Sequence, residues 1–212
     1  MLNFASLPKF FLASIVLLLT PGPAVLYIIA RSIDQGRIAG LVSVLSVEVG
    51  NLFHAIIAAY GLSALLSASE PAFNVVKYLG AAYLFYLGIK KLLSRSAQPG
   101  GLKTGEKHQT LGQIFRQGLT VAILNPKTAL FFITYLPQFV NPAHGSARIQ
   151  LLSLGGMFVL MAIFSDGAYA LLASSAGRWL STQQNIWSVE RYVVGMIYIG
   201  LGVTAALASL PG

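Results

Sequence analysis

Residues 10–30 read FFLASIVLLLTPGPAVLYIIA, and residues 114–140 read IFRQGLTVAILNPKTALFFITYLPQFV. Each run is long enough to cross a bilayer. Each is cut near its middle, the first by Thr20-Pro21-Gly22-Pro23 and the second by Asn125-Pro126-Lys127. Proline inside a helix removes a donor and frees a carbonyl. Hydrocarbon satisfies neither group, so such a break survives only where protein or a wet cavity surrounds it. Interrupted spans in corresponding positions of two halves point to a solute site at the bilayer midplane.

The rest of the chain supports a membrane reading. Of 212 residues, 56% are hydrophobic and 9% charged, against about 25% charged in a soluble domain. Six apolar windows stand out: Phe10–Ala30, Ile38–Ala68, Ala72–Leu93, Ile114–Val140, Leu151–Ala173 and Tyr192–Leu210. Each is near or above the roughly 20 residues a spanning helix needs. Membrane β-strands would alternate every second residue, which these windows do not. A soluble bundle would need a polar face on every helix, yet Leu79 to Ile89 and Val193 to Ala208 carry no charge.

The net charge of +8 is distributed at the ends of spans, not along a groove, so it argues against nucleic acid. Arg31 and Arg37 flank the first link, Lys90, Lys91, Arg95, Lys103, Lys107 and Arg116 the third, and Arg178 and Arg191 the fifth. The positive-inside rule places these links in the cytoplasm and both termini outside. The same charges suit anionic lipid headgroups. With no cysteine, disulfides and thiolate metal sites are excluded. His54, His108 and His144 are too scattered for a metal, and no cofactor is expected. No basic region or small-residue cleavage site frames the first span, so it is expected to be retained.

The long polar segment, residues 94–113, holds Pro99-Gly100-Gly101 and reads as a flexible cytoplasmic linker. It divides one membrane domain, 1–212, into halves at 10–93 and 114–210. The halves echo each other faintly: Leu19-Thr20-Pro21 against Leu124-Asn125-Pro126, and Gly80-Ala81-Ala82-Tyr83 against Gly195-Met196-Ile197-Tyr198. Three spans per half force an inverted arrangement. The expected fold is an all-α membrane protein of six transmembrane helices, an inverted 3+3 repeat with broken first and fourth helices. Both breaks then lie roughly 14–15 Å deep, near the midplane.

Thr and Asn are good N-caps and proline suits the first helical position. Thr20-Pro21 and Asn125-Pro126 therefore each read as a fresh helix start in mid-membrane. Helix starts present free N–H groups and partial positive charge, which together bind a carboxylate, and Gly22 lets a ligand approach the backbone. The bland alternative is a pair of packing kinks. Glu48, Asp166 and Lys127 lie inside spans, where a charge costs about 2.5–3.5 kcal/mol on insertion scales. Lys127 and one of the acids are expected to pair. Glu48 and Asn51 share a helix face; His54 lies off it. On this reading Thr20, Pro21, Gly22, Pro23, Asn51, Asn125, Pro126 and Lys127 form the substrate site. Glu48 or Asp166 takes the substrate ammonium or a proton, or serves as a structural charge partner; His54 relays protons or is a neutral histidine hydrogen-bonded across helices.

The stretch Thr20-Pro21-Gly22-Pro23, with Ala30-Arg31-Ser32, Gly36-Arg37, Gly50, His54, Lys77-Tyr78-Leu79-Gly80, Leu124-Asn125-Pro126-Lys127 and Leu136-Pro137-Gln138-Phe139, resembles the lysine exporter / homoserine–threonine exporter (LysE/RhtB) superfamily. The resemblance runs from about Thr20 to Gly202. It implies a bacterial inner-membrane antiporter that exports amino acids, using protons. Two positions depart from the pattern: Ala24 stands where Asp or Asn usually follows Pro-Gly-Pro, and Asn51 where Asp is common. Other small solutes, a homo-oligomer, a non-transporting membrane partner and an intramembrane enzyme built on Ser165, Asp166 and His54 stay open at this point. An exporter requires a midplane cavity walled by Pro21–Pro23 and Pro126–Lys127.

Overall fold

The computed structural model describes residues 7–62 and 109–180, apart from positions 142 and 144 and the side chains of 176–180, together with single helical positions between 75 and 93 and between 192 and 203. The third and sixth windows, most of the linker, His108, His144 and the Gly-x-x-Tyr echo lie largely or wholly outside these residues. Among the described residues every regular element is helical.

Helix α1 is Leu7–Leu19, and α2 is Pro23–Ile57, extended by a π turn at Ala58–Leu62. After the linker come α3 (Leu111–Ile123) and α4 (Pro126–Leu130); the latter continues through a π turn to Tyr135 and a 3-10 turn to Phe139. The last described element is α5, Ala147–Leu180. Pro23–Gly61 and Ala147–Ser175 are long and apolar enough to cross a membrane, and Leu111–Ile123 with Pro126–Phe139 makes a third such path, bent by 44°. Large apolar side chains on the outside, among them Leu12, Leu45, Leu160, Phe164 and Leu172, are exposed, as a lipid-facing surface requires.

Helix α2 is not one straight rod. Gly36 sits at φ 80° and ψ −169°, a conformation an L side chain rarely adopts. The chain folds back there. A Cβ on Gly40 would lie 2.2 Å from the Ser32 hydroxyl, although residues eight apart on a straight helix are separated by about 12 Å. The arm before Gly36 therefore belongs with α1 as the first, broken path. The arm after it is the second path. This matches the expected boundary between the first two windows.

Small residues bring the paths together. Positions Gly50 and Ala122, Gly118 and Ser46, and Gly155 and Ala55 touch, the close backbone approach that membrane helices use. Helix α3 begins with a capping box in which Thr110 and Gln113 bond each other's backbone amides. Its contact at Gly118 is the tightest: a Cβ there would lie 1.9 Å from Ser46 Oγ, and that hydroxyl is fixed on the Ser43 carbonyl at 2.7 Å. Gly118→Val is expected to destabilise the fold by about 1–3 kcal/mol, read as a lower melting temperature in detergent. Gly156→Ala, with nothing within 4 Å of the new carbon, should be neutral; equal behaviour of the two variants would refute the packing.

Two apolar clusters form the core. The larger joins Phe10, Leu17, Phe131, Phe132, Phe139 and Phe158 with neighbouring aliphatic residues. Its rings meet at 4.9 Å (Phe131–Phe158) to 6.0 Å (Phe131–Phe132). The smaller holds Ala24, Ile28, Val44, Val47, Ala122 and Ala170. Along every path the residues of the breaks and the buried charged residues fall between a residue of one cluster and a residue of the other. Thr20 to Gly22 lie between Leu18 and Ala24, and Glu48 and Asn51 between Val47 and Ala55. Asn125 and Lys127 lie between Ala122 and Phe131, and Asp166 between Ala162 and Ala170. The polar residues thus share one layer between two apolar ones.

Candidate functional site

The two breaks meet through one side chain. The Lys127 ammonium, on the first turn of α4, donates a hydrogen bond to the Thr20 carbonyl at the end of the first break. The Lys127 stem also lies against Gly22, where an added Cβ would be 3.1 Å from Cδ. Only glycine leaves that stem room without a shift. Lys127 is 5% exposed, Glu48 4% and Asp166 3%.

The second break is built as its residues suggest. Asn125 caps α4, its Oδ1 accepting from the Lys127 amide at 3.1 Å, with Pro126 at the first helical position. Its Nδ2 donates to the Thr128 hydroxyl at 3.1 Å. The first break differs from expectation. The N-cap of α2 is Gly22, with extended backbone and no side-chain cap. Thr20 instead closes α1: its hydroxyl donates to the Val16 carbonyl at 2.6 Å and its amide to the Leu17 carbonyl at 3.1 Å. With prolines at both 21 and 23, it is Pro23 that occupies the first helical position. That moves the cap to Gly22 and leaves Thr20 in the preceding turn. Tyr169 on α5 completes the end of α1 by donating to the Leu19 carbonyl at 3.0 Å.

A cavity of about 20 Å³ lies at this junction, lined by Gly22, Asn51, Asn125, Lys127, Thr128 and Asp166 and by apolar neighbours including Val25, Val47 and Phe158. That is room for about one water, so the site is closed around itself. The prolines break the chain but do not wall the cavity. Pro21 and Pro126 are half-buried and Pro23 is exposed; of the two stretches expected to wall the chamber, Gly22 and Lys127 line it and the prolines do not. Proline offers no amide donor, so the polar lining falls to its neighbours.

Glu48 and Asp166 are near neighbours, close enough for each to feel the other's charge. The Asn51 amide donates to Glu48 Oε2 at 3.0 Å, so Asn51 supplies a donor where an aspartate would have added a third acid. Glu48 Oε1 and Asp166 Oδ1 have no hydrogen-bond partner. Lys127 and Asp166 line the same cavity and attract each other through space, while no direct ion pair joins Lys127 to either acid among the described residues. The Thr20 carbonyl, left open where α1 ends at the break, takes the ammonium.

His54 stands apart. Its Nε2 bonds the Ala122 carbonyl at 3.1 Å and its ring stacks on Phe132 at 6.2 Å; it does not line the cavity. A ring nitrogen facing a carbonyl must be the donor, so His54 ties the second path to the end of α3. Thr128 and Tyr169 were not singled out from sequence. Thr128 was legible as the third residue after a cap, whereas Tyr169 on α5 gave no signal.

The LysE type translocator family profile matches residues 15–209. An uncharacterized membrane protein of Pseudomonas aeruginosa is 30% identical over 206 residues, covering 94% of each chain. An uncharacterized membrane protein of Bacillus subtilis is 29% identical, covering 91% of this chain and 94% of its own. A leucine efflux protein of Salmonella typhimurium is 26% identical over 201 residues, covering 95% of this chain and 93% of its own. No solved structure matches.

Proposed function

The chain belongs to the LysE type translocator family, and from that premise we propose that it exports amino acids or close derivatives across the bacterial cytoplasmic membrane. The observation that carries this reading is the Lys127 ammonium, buried at the meeting point of two broken spans and bonded to the backbone of the first break. A leucine efflux protein of similar length makes leucine the first solute to test.

The cavity supplies what a zwitterion needs. Helix starts at Gly22 and Asn125, with Lys127 between them, suit a carboxylate. The carboxyls of Glu48 and Asp166 suit an ammonium or a proton. Two facing carboxyls with no donor between them hydrogen-bond only if one is protonated; this adjacency supports proton antiport. Binding an amino acid in a space of about 20 Å³ requires the paths to part. The polar layer lies between two apolar clusters. We infer alternating access in which one cluster opens while the other stays closed. The topology that accompanies this mechanism is six spans in inverted halves, 10–93 and 114–210, with the links carrying Arg31 and Arg116 in the cytoplasm and both termini outside.

An intramembrane enzyme would need a nucleophile touching a base. Ser165 Oγ has no hydrogen-bond partner and His54 is held on Ala122. That geometry favours the transporter.

The test is reconstitution of the purified chain in vesicles loaded with radiolabelled amino acids, leucine first. An imposed pH gradient should drive leucine or another amino acid of the panel across. A broad panel showing neither transport nor binding would end the amino-acid assignment.

A further inference from the structure

A second, larger cavity lies on the other side of the smaller apolar cluster. It measures about 560 Å³ and is lined by Tyr27, Arg31, Gln113, Arg116, Gln117 and Thr120, with Val121 at its inner end. That size is within the range of small-molecule pockets, about 300–1,000 Å³. Ala24 and Val47 of that cluster line the closed polar site, Ile28 and Ala122 adjoin Tyr27 and Val121 of the larger cavity in the chain, and Val121 packs on the cluster.

The α3 side of the cavity is a polar stripe. Gln113, Arg116, Gln117 and Thr120 stand at i, i+3, i+4 and i+7, which is one face of a helix. A charged and amide-rich face does not sit against hydrocarbon within a span. Helix α3 is bound to the first arm of α2 by the Tyr27 hydroxyl, which donates to the Ile114 carbonyl at 2.6 Å. The stripe therefore belongs to a cleft between helices. Arg31 stands across that cleft, 5.8 Å from the Tyr27 ring centroid. It makes a 3.6 Å contact with the more exposed Asp34 and keeps a buried Nε without a partner. Arg116 is exposed and in no ion pair among the described residues. Two guanidinium groups against one offsetting carboxylate leave the cleft positive.

We propose that this cleft is a water-filled vestibule, open on the basic side of the protein, that gathers solutes by a carboxylate before they pass the small apolar cluster. The assignment of the solute rests on the export reading; the wetness and sign of the vestibule do not. Arginine pairs with carboxylates through two parallel hydrogen bonds, and a charged cleft with apolar walls raises the local concentration of counter-ions.

The chain has no cysteine, so Gln117→Cys and Thr120→Cys each introduce a single reporter thiol. Purified variants in phosphatidylcholine vesicles would be labelled with a small anionic and a small cationic thiosulfonate reagent, each rate divided by that with a free thiol. The anionic reagent should react about tenfold faster at both positions. Adding Arg31→Gln and Arg116→Gln should erase that preference. Failure of both reagents at both positions would show a dry or lipid-filled cleft and overturn the proposal, as would equal rates. A preference that disappears only in phosphatidylglycerol vesicles would identify a headgroup as the occupant and overturn the solute assignment. If the preference holds while no amino acid is transported, the export reading falls and the anion-gathering vestibule stands.

Discussion

Lys127→Ala is expected to abolish amino-acid export while the protein still inserts and purifies as a folded monodisperse species. Lys127 is where the two breaks touch. Its ammonium satisfies the Thr20 carbonyl, and its stem packs on Gly22. Truncation removes the positive charge from the cavity and leaves a carbonyl unsatisfied in a dry layer. Truncating one partner of a buried charged hydrogen bond costs about 2–5 kcal/mol, which corresponds to roughly 30-fold or more in rate at 1.4 kcal/mol per decade. Lys127→Arg keeps the charge but must fit a larger planar group against Gly22, so partial activity is expected. Efflux of labelled solute from vesicles, normalised to inserted protein, decides it. Wild-type export by the alanine variant would remove Lys127 from the site.

The second large effect is on energy coupling. Glu48→Gln and Asp166→Asn should each uncouple export from the pH gradient. Each leaves solute–solute exchange across the membrane measurable. A glutamine at position 48 can donate to Asp166 as a protonated acid would, so the pair is frozen in its proton-loaded form. About a tenfold loss of gradient-driven efflux is expected for each. If the two carboxyls share one proton, the double variant should be scarcely worse than either single, because residues in one hydrogen-bonded network are not additive. Gradient-driven export that survives both single changes would show that Glu48 and Asp166 only brace the helices. Independent, multiplying losses would show that they act separately.

Several features of the site could be read from the chain directly. The membrane class follows from apolar windows and sparse charge. The second break follows from Asn125-Pro126, because an amide side chain that caps and a ring that tolerates the first helical position are local chemistry. The reversal near Gly36 was visible as the gap between two windows. The first break was legible only in part. Two prolines two residues apart allow two registers for the helix start, and the chain uses the second. Thr20, a strong capping residue, consequently serves the helix before the break instead of the one after it. The hydrogen bond from Lys127 to Thr20 was not legible, because a backbone carbonyl left open at a helix end leaves no mark in composition. The polar stripe from Gln113 to Thr120 starts at the last linker residue and runs into the fourth window, and one helix face means nothing until its neighbour is placed.

Local properties such as hydropathy, proline geometry and capping chemistry were therefore set by the sequence itself: where the chain crosses, where it breaks, and which charges are buried. Which buried groups touch depended on the packing of helices far apart in the chain, such as those carrying Gly50 and Ala122 or Thr20 and Lys127. Gly50 on Ala122 and Gly118 on Ser46 bring the paths close enough for Lys127 to reach Thr20 and for Glu48 to face Asp166. That choice was tertiary because a side chain finds its partner in the nearest unsatisfied group in space, and spacing along the chain does not encode that distance.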